Sequence, residues 1–170
     1  MVAGVGSGLG RSVALASARE GADVVLAART ASQLDEVAKE VAALGRRALP
    51  VPCDLTDPAS AEQLATAAQE EFGRVDALVY NALAMPPIEG LGVVPLEALS
   101  AAFDGNVIAA LRLTRQLITA LAENRGSVVM VSSMVIRFSE LNMGPYKLVK
   151  TAMLATAQNL ATKYGPLGVR

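Results

Sequence analysis

The sequence predicts a doubly wound α/β fold, in which a parallel β-sheet carries helices on both faces. Short apolar runs alternate along the chain with longer segments in which apolar residues recur every three or four positions. The short runs are typical of strands buried on both faces, and the longer segments of amphipathic helices. Repeated strand-then-helix units favour parallel strands joined by right-handed crossovers. At 170 residues the chain is long enough for one such domain, which we assign to 1–170.

The first half of the chain contains three strand–helix units. The predicted strands are 1–3, 23–28 and 48–52, and the helices that follow them end near residues 20, 44 and 72. Thr30 and Gln33 form a capping-box pattern before the second helix. Asp57 and Pro58 supply an N-cap and a first-turn proline for the third helix. A glycine follows each helix, as expected for a helix end.

The second half of the chain continues the alternation with longer helices. The predicted strands are 75–79 and 127–131, and the predicted helices are 96–122 and 145–164. Residues 85–95 form the longest irregular stretch, and we expect a loop beside the functional site. The first strand is short for a central strand, and 165–170 begin a strand that does not continue. We therefore expect the chain to be truncated at both ends.

The composition excludes several kinds of site. The chain contains no histidine, which excludes a Ser-His-Asp triad and removes the commonest metal ligand, so no metal site is predicted. Cys53 is the only cysteine; it favours a reducing, cytoplasmic location, and we expect it to be buried rather than nucleophilic. A net charge of −1 does not indicate nucleic acid as a partner. No apolar stretch approaches the roughly 20 residues that span a bilayer.

A glycine-rich turn joins the first strand to the first helix. Its glycines fit the spacing G-x-x-x-G-x-G at Gly4, Gly8 and Gly10. Ser7 immediately precedes Gly8, and Leu9 lies between Gly8 and Gly10. Glycine permits positive φ and close backbone approach, and a helix N-terminus offers free N–H groups to a pyrophosphate. The turn therefore predicts a dinucleotide site formed by these five residues. A purely structural turn is the alternative.

The end of the second strand distinguishes between the two nicotinamide cofactors. NAD enzymes place an acidic residue there to bind the ribose 2′-hydroxyl, whereas a 2′-phosphate requires that acid to be absent and an arginine to lie nearby. Ala28 occupies this position and is followed by Arg29 and Thr30. Because Arg29 can form charge-assisted hydrogen bonds to a phosphate, we expect NADP(H) rather than NAD(H). A solvated arginine without a ligand is the alternative.

Three polar residues near the fifth predicted strand form a candidate site for proton transfer. Tyr146 and Lys150 are four positions apart in a predicted helix and therefore share one face. A free tyrosine has a pKa of about 10, and a neighbouring ammonium group should lower it towards neutral pH. Ser133 ends an apolar strand, the position at which ligands bind in open α/β sheets. The Y-x-x-x-K spacing alone also arises by chance.

Taken together, these motifs resemble the short-chain dehydrogenase/reductase family. The family's glycine pattern falls on the turn described above, and its serine, tyrosine and lysine fall on Ser133, Tyr146 and Lys150. The family's aspartate after the third strand falls on Asp54, which is followed by Leu55. Its asparagine–alanine pair after the fourth strand falls on Asn81 and Ala82, and its helix asparagine falls on Asn106. The motifs occur in the family's order along all 170 residues.

Four residues depart from the family pattern. Ala3 replaces a threonine before the first glycine, and Val149 replaces a serine before the lysine. Tyr80 and Leu83 replace an asparagine and a glycine in the fourth-strand motif. We expect the bulk of these two side chains to reshape the adenine or ribose wall. None of the departures removes a group that performs chemistry.

The resemblance implies a Rossmann-like sheet of order 3-2-1-4-5 and hydride transfer between nicotinamide and a small carbonyl or alcohol substrate. Tyr146 would exchange a proton with the substrate oxygen, and Ser133 would hydrogen-bond that oxygen. Lys150 would lower the pKa of Tyr146 and hold the nicotinamide ribose, and Asn106 would anchor a water that leads protons from Lys150 to solvent. Family members build their substrate lid beyond the strand at Val169, so we expect that part to be absent.

The resemblance also suggests that the 96–122 and 145–164 helices pack against their copies, so we expect a homodimer or homotetramer. The main alternative function is a non-catalytic, NADP(H)-binding regulatory or remnant protein of the same fold. A plain interaction module is a third possibility, in which the matched site residues are coincidental. Apolar residues in 85–95 and 135–138 suggest an apolar substrate pocket, although core packing explains them equally well.

Overall fold

The computed structural model describes all 170 residues and contains one five-stranded sheet. Its strands are β1 (Val2–Ala3), β2 (Val24–Ala28), β3 (Ala48–Pro52), β4 (Ala77–Tyr80) and β5 (Ser127–Met130). Neighbouring strands are all parallel, and their order is β3-β2-β1-β4-β5. This confirms both the fold class and the strand order that the family resemblance implied.

Six α-helices connect and follow the strands. They are α1 (Leu9–Arg19), α2 (Ala31–Ala43), α3 (Pro58–Phe72), α4 (Leu96–Phe103), α5 (Ala109–Glu123) and α6 (Gly144–Tyr164). A π-helical turn, Asp104–Ile108, joins α4 to α5. Short 3₁₀ turns occupy Met134–Arg137 and Gly165–Leu167.

The core consists of two apolar clusters, one on each face of the sheet. Helices α1 and α2 cover one face, and α3, α5 and α6 cover the other. The side chains of β2 alternate between the two clusters: Val24 and Leu26 pack on the first face, and Val25 and Ala27 on the second. This alternation explains why β2 is apolar throughout, as parallel strands covered on both faces are. The carboxyl edge of the sheet is thereby held rigidly between two helical layers.

Three details differ from the sequence prediction. Strand β4 begins at Ala77 rather than residue 75, because its pairing with β5 starts there, opposite Ser127. The helix predicted at 96–122 is interrupted by the π-helical turn. Thr30 is the N-cap of α2 as predicted, but its side chain makes no capping hydrogen bond. Asp57, in contrast, caps α3 by accepting hydrogen bonds from two backbone N–H groups.

Candidate active site

A cleft of about 330 Å³ lies at the carboxyl ends of β1 to β4. Ligands of doubly wound sheets bind at this edge. Seven of the residues predicted to bind the cofactor line the cleft: Gly4, Arg29, Thr30, Asp54, Leu55, Asn81 and Ala82. The lining also includes Gln33 and Thr56, which the sequence motifs did not predict. The other residues predicted to bind the cofactor do not line the cleft: Ser7, Gly8, Leu9, Gly10, Tyr146 and Lys150.

The glycines of the turn have different structural roles. Gly4 has a φ of 93°, and a Cβ atom there would lie 2.3 Å from the backbone nitrogen of Ala82. A Cβ atom on Gly10 would lie 2.3 Å from the carbonyl oxygen of Gly4. At Gly8, the N-cap of α1, a Cβ atom would meet nothing within 4 Å. Packing therefore requires Gly4 and Gly10, whereas Gly8 leaves open space at a helix N-terminus, as a pyrophosphate needs.

Asn81 connects β4 to the glycine turn. Its side-chain amide donates a hydrogen bond of 2.8 Å to the carbonyl oxygen of Gly4, and its backbone N–H donates one of 2.8 Å to Ala3. These bonds hold the fourth-strand motif against the turn, which is why Ala82 approaches Gly4 so closely. The Asn81 side chain thus shapes the cleft from within its wall.

The far end of the cleft combines one carboxylate with one guanidinium group. One carboxylate oxygen of Asp54 accepts hydrogen bonds from the backbone N–H and the hydroxyl of Thr56, at 2.9 and 2.8 Å. These bonds, with a smaller contribution from Arg29, hold the pKa of Asp54 below its usual value. None of the five ion pairs in the structure involves Arg29, and its side chain is exposed. Arg29 is therefore available to an anionic ligand.

The two bulky departures from the family pattern lie in different environments. Leu83 lines the cleft and is partly exposed, as predicted. The prediction for Tyr80 is wrong, because its side chain is fully buried in the core and does not line the cleft. Side chains alternate between the two faces of a strand, and the Tyr80 side chain lies on the face of β4 that packs against α3 and α5. Burial raises the pKa of the Tyr80 hydroxyl, which has no hydrogen-bond partner.

Of the predicted proton-transfer residues, Tyr146 and Lys150 pair on α6, and Lys150 reaches the end of β5. Lys150 is only 3% exposed, and its Nζ donates a hydrogen bond of 2.8 Å to the carbonyl oxygen of Val131. The same Nζ lies 5.8 Å from the centroid of the Tyr146 ring. Burial lowers the pKa of Lys150, because its ammonium group loses hydration. Ser133 accepts a hydrogen bond of 3.3 Å from the backbone N–H of Val135, which leaves its own proton free to be donated.

Asn106 is fully buried in the π-helical turn between α4 and α5. Its amide group donates to the carbonyl oxygens of Ala84 and Ala102, both at 2.7 Å, and accepts from the backbone N–H of Ala84 at 3.1 Å. The side chain therefore joins the loop after β4 to the helix layer. π-Helical turns are frequent at functional sites, and this one packs against α6, the helix that carries Tyr146.

None of the helices combines the length and apolarity required to cross a bilayer. No three or more His, Cys, Asp or Glu side chains are grouped in a way that could hold a metal ion.

Comparison with known protein families identifies the family to which this chain belongs. The model of the short chain dehydrogenase family matches residues 1–170. The chain belongs to this family. This short-chain dehydrogenase is similar to an uncharacterized oxidoreductase of Mycobacterium tuberculosis, with 38% identity over 155 residues. The alignment covers 90% of this chain and 59% of that protein. The chain thus spans about three fifths of the length of this relative.

Solved structures of other short-chain dehydrogenases superpose closely on the chain. A 7α-hydroxysteroid dehydrogenase complexed with NADH and 7-oxo glycochenodeoxycholic acid has a TM-score of 0.93 and 28% identity, over 99% of this chain and 66% of that one. Carveol dehydrogenase from Mycobacterium avium in complex with NAD has a TM-score of 0.91 and 25% identity, over 99% and 67%. The recognition made from the sequence motifs is therefore confirmed at the level of the family.

Proposed function

We propose that this protein is an NADP(H)-dependent oxidoreductase that transfers a hydride between nicotinamide and the carbon of a carbonyl or alcohol. The observation that carries the proposal is the pairing of buried Lys150 with Tyr146, with Lys150 bonded to Val131 just past β5, at the same sheet edge as the cleft at the ends of β1 to β4. A protein that only binds the cofactor could use Lys150 to hold the ribose, but it has no need for a tyrosine hydroxyl next to that ammonium group. The open space at Gly8, the N-cap of α1, suits a pyrophosphate.

In this proposal a bound nicotinamide dinucleotide supplies or accepts the hydride. Tyr146 donates its phenolic proton to the developing alkoxide oxygen during reduction and recovers it in the reverse direction. Ser133 donates a hydrogen bond to the same oxygen, and this bond strengthens as negative charge develops. The Lys150 ammonium stabilises the phenolate of Tyr146 electrostatically and binds the nicotinamide ribose. Asn106 positions the loop after β4 and anchors a water that connects Lys150 to solvent.

The preference for NADP(H) is proposed from the end of β2. Ala28 presents no carboxylate to repel a 2′-phosphate, and the exposed Arg29 lines the cleft together with Thr30 and Gln33. A guanidinium group binds phosphate through charge-assisted hydrogen bonds. The two structural relatives described above were solved with NADH or NAD, so the cofactor is a point on which this chain is expected to differ from them.

The proposal extends to the domain organisation, the location and the assembly of the protein. Residues 1–170 form one Rossmann-like domain, and the protein is a cytoplasmic homodimer or homotetramer that acts on a small molecule. The free, buried thiol of Cys53 is consistent with a reducing compartment.

The proposal is tested by removing the hydroxyl of Tyr146 in the protein expressed from the full open reading frame. Tyr146→Phe should lower turnover about 10²–10⁴-fold and leave NADPH affinity nearly unchanged, because the hydroxyl contributes chiefly in the transition state. Tyr164→Phe, at the far end of the same helix, is the matched control and should retain full activity. Steady-state kinetics with a panel of aldehydes and ketones provide the measurement. Turnover of Tyr146→Phe within about threefold of the unmodified protein would refute the catalytic assignment.

A further inference from the structure

We propose that the substrate is an alcohol or ketone whose reacting carbon is carried on an apolar chain or ring, and not a sugar or polyol. This inference rests on the proposed function, because it assigns a substrate class to the same site. The evidence is a group of exposed apolar side chains, hereafter the apolar wall, on residues 83–95 and 134–141. They are Leu83, Met85, Ile88, Leu91, Val93, Met134, Phe138 and Leu141.

The apolar wall is exposed to an extent that core packing does not explain. Leu141 is 88% exposed, Met134 is 71% exposed and Leu91 is 52% exposed. Single exposed apolar residues are common on protein surfaces, but contiguous groups mark binding sites. The sequence alone allowed these segments to belong to the core. Among the apolar residues of 134–141, only Val135 is buried.

The two segments of the apolar wall contact each other beside the proton-transfer residues. A Cβ atom on Gly144, two residues before Tyr146, would lie 2.5 Å from Cγ of Leu91. A Cβ atom on Gly90 would lie 3.5 Å from the carbonyl oxygen of Leu141. Leu91 therefore packs directly over the start of α6. Met134 immediately follows Ser133, so the apolar wall adjoins the site on both sides.

Both segments are attached to the helices by specific hydrogen bonds. The Lys147 ammonium, adjacent to Tyr146, donates to the carbonyl oxygen of Phe138 at 2.7 Å and to the hydroxyl of Ser139 at 2.8 Å. Asn106 holds Ala84 at the start of the other segment through two hydrogen bonds. The apolar side chains are thus presented by backbone that is already fixed, which lowers the entropic cost of binding a ligand.

The polar groups of the apolar wall are poorly suited to a polyhydroxylated substrate. Glu89 is the only polar side chain in residues 83–95, and residues 134–141 add the exposed Arg137, Ser139 and Glu140. The nearby Lys147 ammonium is already engaged by the 138–139 backbone and side chain. Hydroxyl groups buried against such a surface would lose their hydrogen bonds to water without replacement, whereas methylene groups would gain from leaving water. The eight apolar side chains outnumber these polar groups, and the reacting oxygen has its own partners in Ser133 and Tyr146.

The test is a chain-length series of methyl ketones, from 2-butanone to 2-octanone, reduced with NADPH by the protein from the full open reading frame. We expect kcat/KM to rise about two- to fourfold per added methylene group, with fructose a poorer substrate than any member of the series. Leu141→Asp and Met134→Asp should reduce this gain per methylene group to less than half. Because both side chains are largely exposed, neither substitution should unfold the protein. NADPH affinity should not change.

The matched control is Leu44→Asp, an exposed leucine at the end of α2, which should leave the series unchanged. A flat series, or a preference for fructose, would overturn the apolar substrate class while leaving the oxidoreductase proposal intact. Absence of turnover with every ketone would instead refute the proposed function and this inference with it. If Leu141→Asp lowers the mass in light scattering and leaves the series intact, the apolar wall is a contact between copies, and the inference is wrong.

Discussion

Cys53 shows how burial controls the chemistry of a single residue in the cleft. Burial, with a contribution from Asp54, raises the pKa of its thiol to about 11. At pH 8 its thiolate fraction is about 10²-fold below that of an unfolded cysteine, whose pKa is about 8.5. Iodoacetamide reacts with the thiolate, so it should alkylate Cys53 in the folded protein at least about 10²-fold more slowly than in the urea-unfolded protein. Mass spectrometry of timed samples measures both rates.

The pH dependence of this reaction separates the pKa effect from simple shielding. As pH rises, the thiolate fraction of folded Cys53 should increase about tenfold per unit until pH approaches 11, whereas in urea it should level off above about 8.5. A folded-state rate that levels off near pH 9 would contradict the raised pKa.

Arg29 is the residue on which the cofactor preference depends. Arg29→Ala should weaken NADPH binding by about 1.5–3 kcal/mol, because a charge-assisted hydrogen bond to the 2′-phosphate is lost. NADH, which lacks that phosphate, should bind with nearly unchanged affinity. Isothermal titration with both cofactors provides the measurement, and Arg19→Ala, at the end of α1, is the control that should alter neither affinity. Equal weakening of NADPH and NADH binding, or tighter NADH binding by the unmodified protein, argues against the preference.

Single residues also show what the sequence could and could not predict about the site. The proximity of Lys150 to Tyr146 could be predicted from their spacing, because local periodicity determines which residues share a helix face. The partners of Asn81 could not be predicted in this way, since its side chain bonds to Gly4, 77 positions away. Tyr80 was misassigned for a related reason: which face of β4 it occupies depends on where pairing with β1 and β5 begins.

Helix boundaries were predicted well wherever a local signal determines them. Asp57 and Gly73 delimit α3 as expected, because the carboxylate satisfies free N–H groups and glycine adopts the left-handed conformation at φ 68°. The π-helical turn within 96–122 was not predicted. It depends on the bonds of Asn106 to Ala84, in a loop that precedes the helix, and periodicity within the helix carries no sign of that contact.

The two predicted N-caps provide a matched stability test at this scale. Asp57→Ala should lower the free energy of unfolding by about 1 kcal/mol, because two backbone N–H groups lose their acceptor. Thr30→Ala should change it by less than about 0.5 kcal/mol, because the Thr30 side chain makes no capping bond. Urea unfolding followed by circular dichroism measures both values. A loss for Thr30→Ala as large as that for Asp57→Ala would show that the capping box does form in solution.

The arrangement of the whole molecule leaves one helical surface open to a second copy. Helix α5 directs Leu113, Leu117 and Leu121 into the core, while its other side and α6 form an outer groove. Leu111 and Leu160 lie in this groove and are only half-buried. Closed two-fold dimers use one self-complementary patch, and a pair of neighbouring helices provides such a patch. We therefore expect the protein from the full open reading frame to be at least a dimer through α5 and α6.

Size-exclusion chromatography with light scattering at micromolar concentration tests this expectation. The Leu111→Glu/Leu160→Glu variant should shift the mass to that of a monomer, because each copy would lose both of the leucines that pack against the other copy in this groove. Leu44→Glu, on an exposed part of α2 outside the groove, should leave the mass unchanged. Both variants should keep the circular dichroism spectrum of the unmodified protein, so that a change of mass reports on assembly rather than on unfolding. A monomeric mass for the unmodified protein, or an unchanged mass for the double variant, would place any assembly surface elsewhere than the α5–α6 groove.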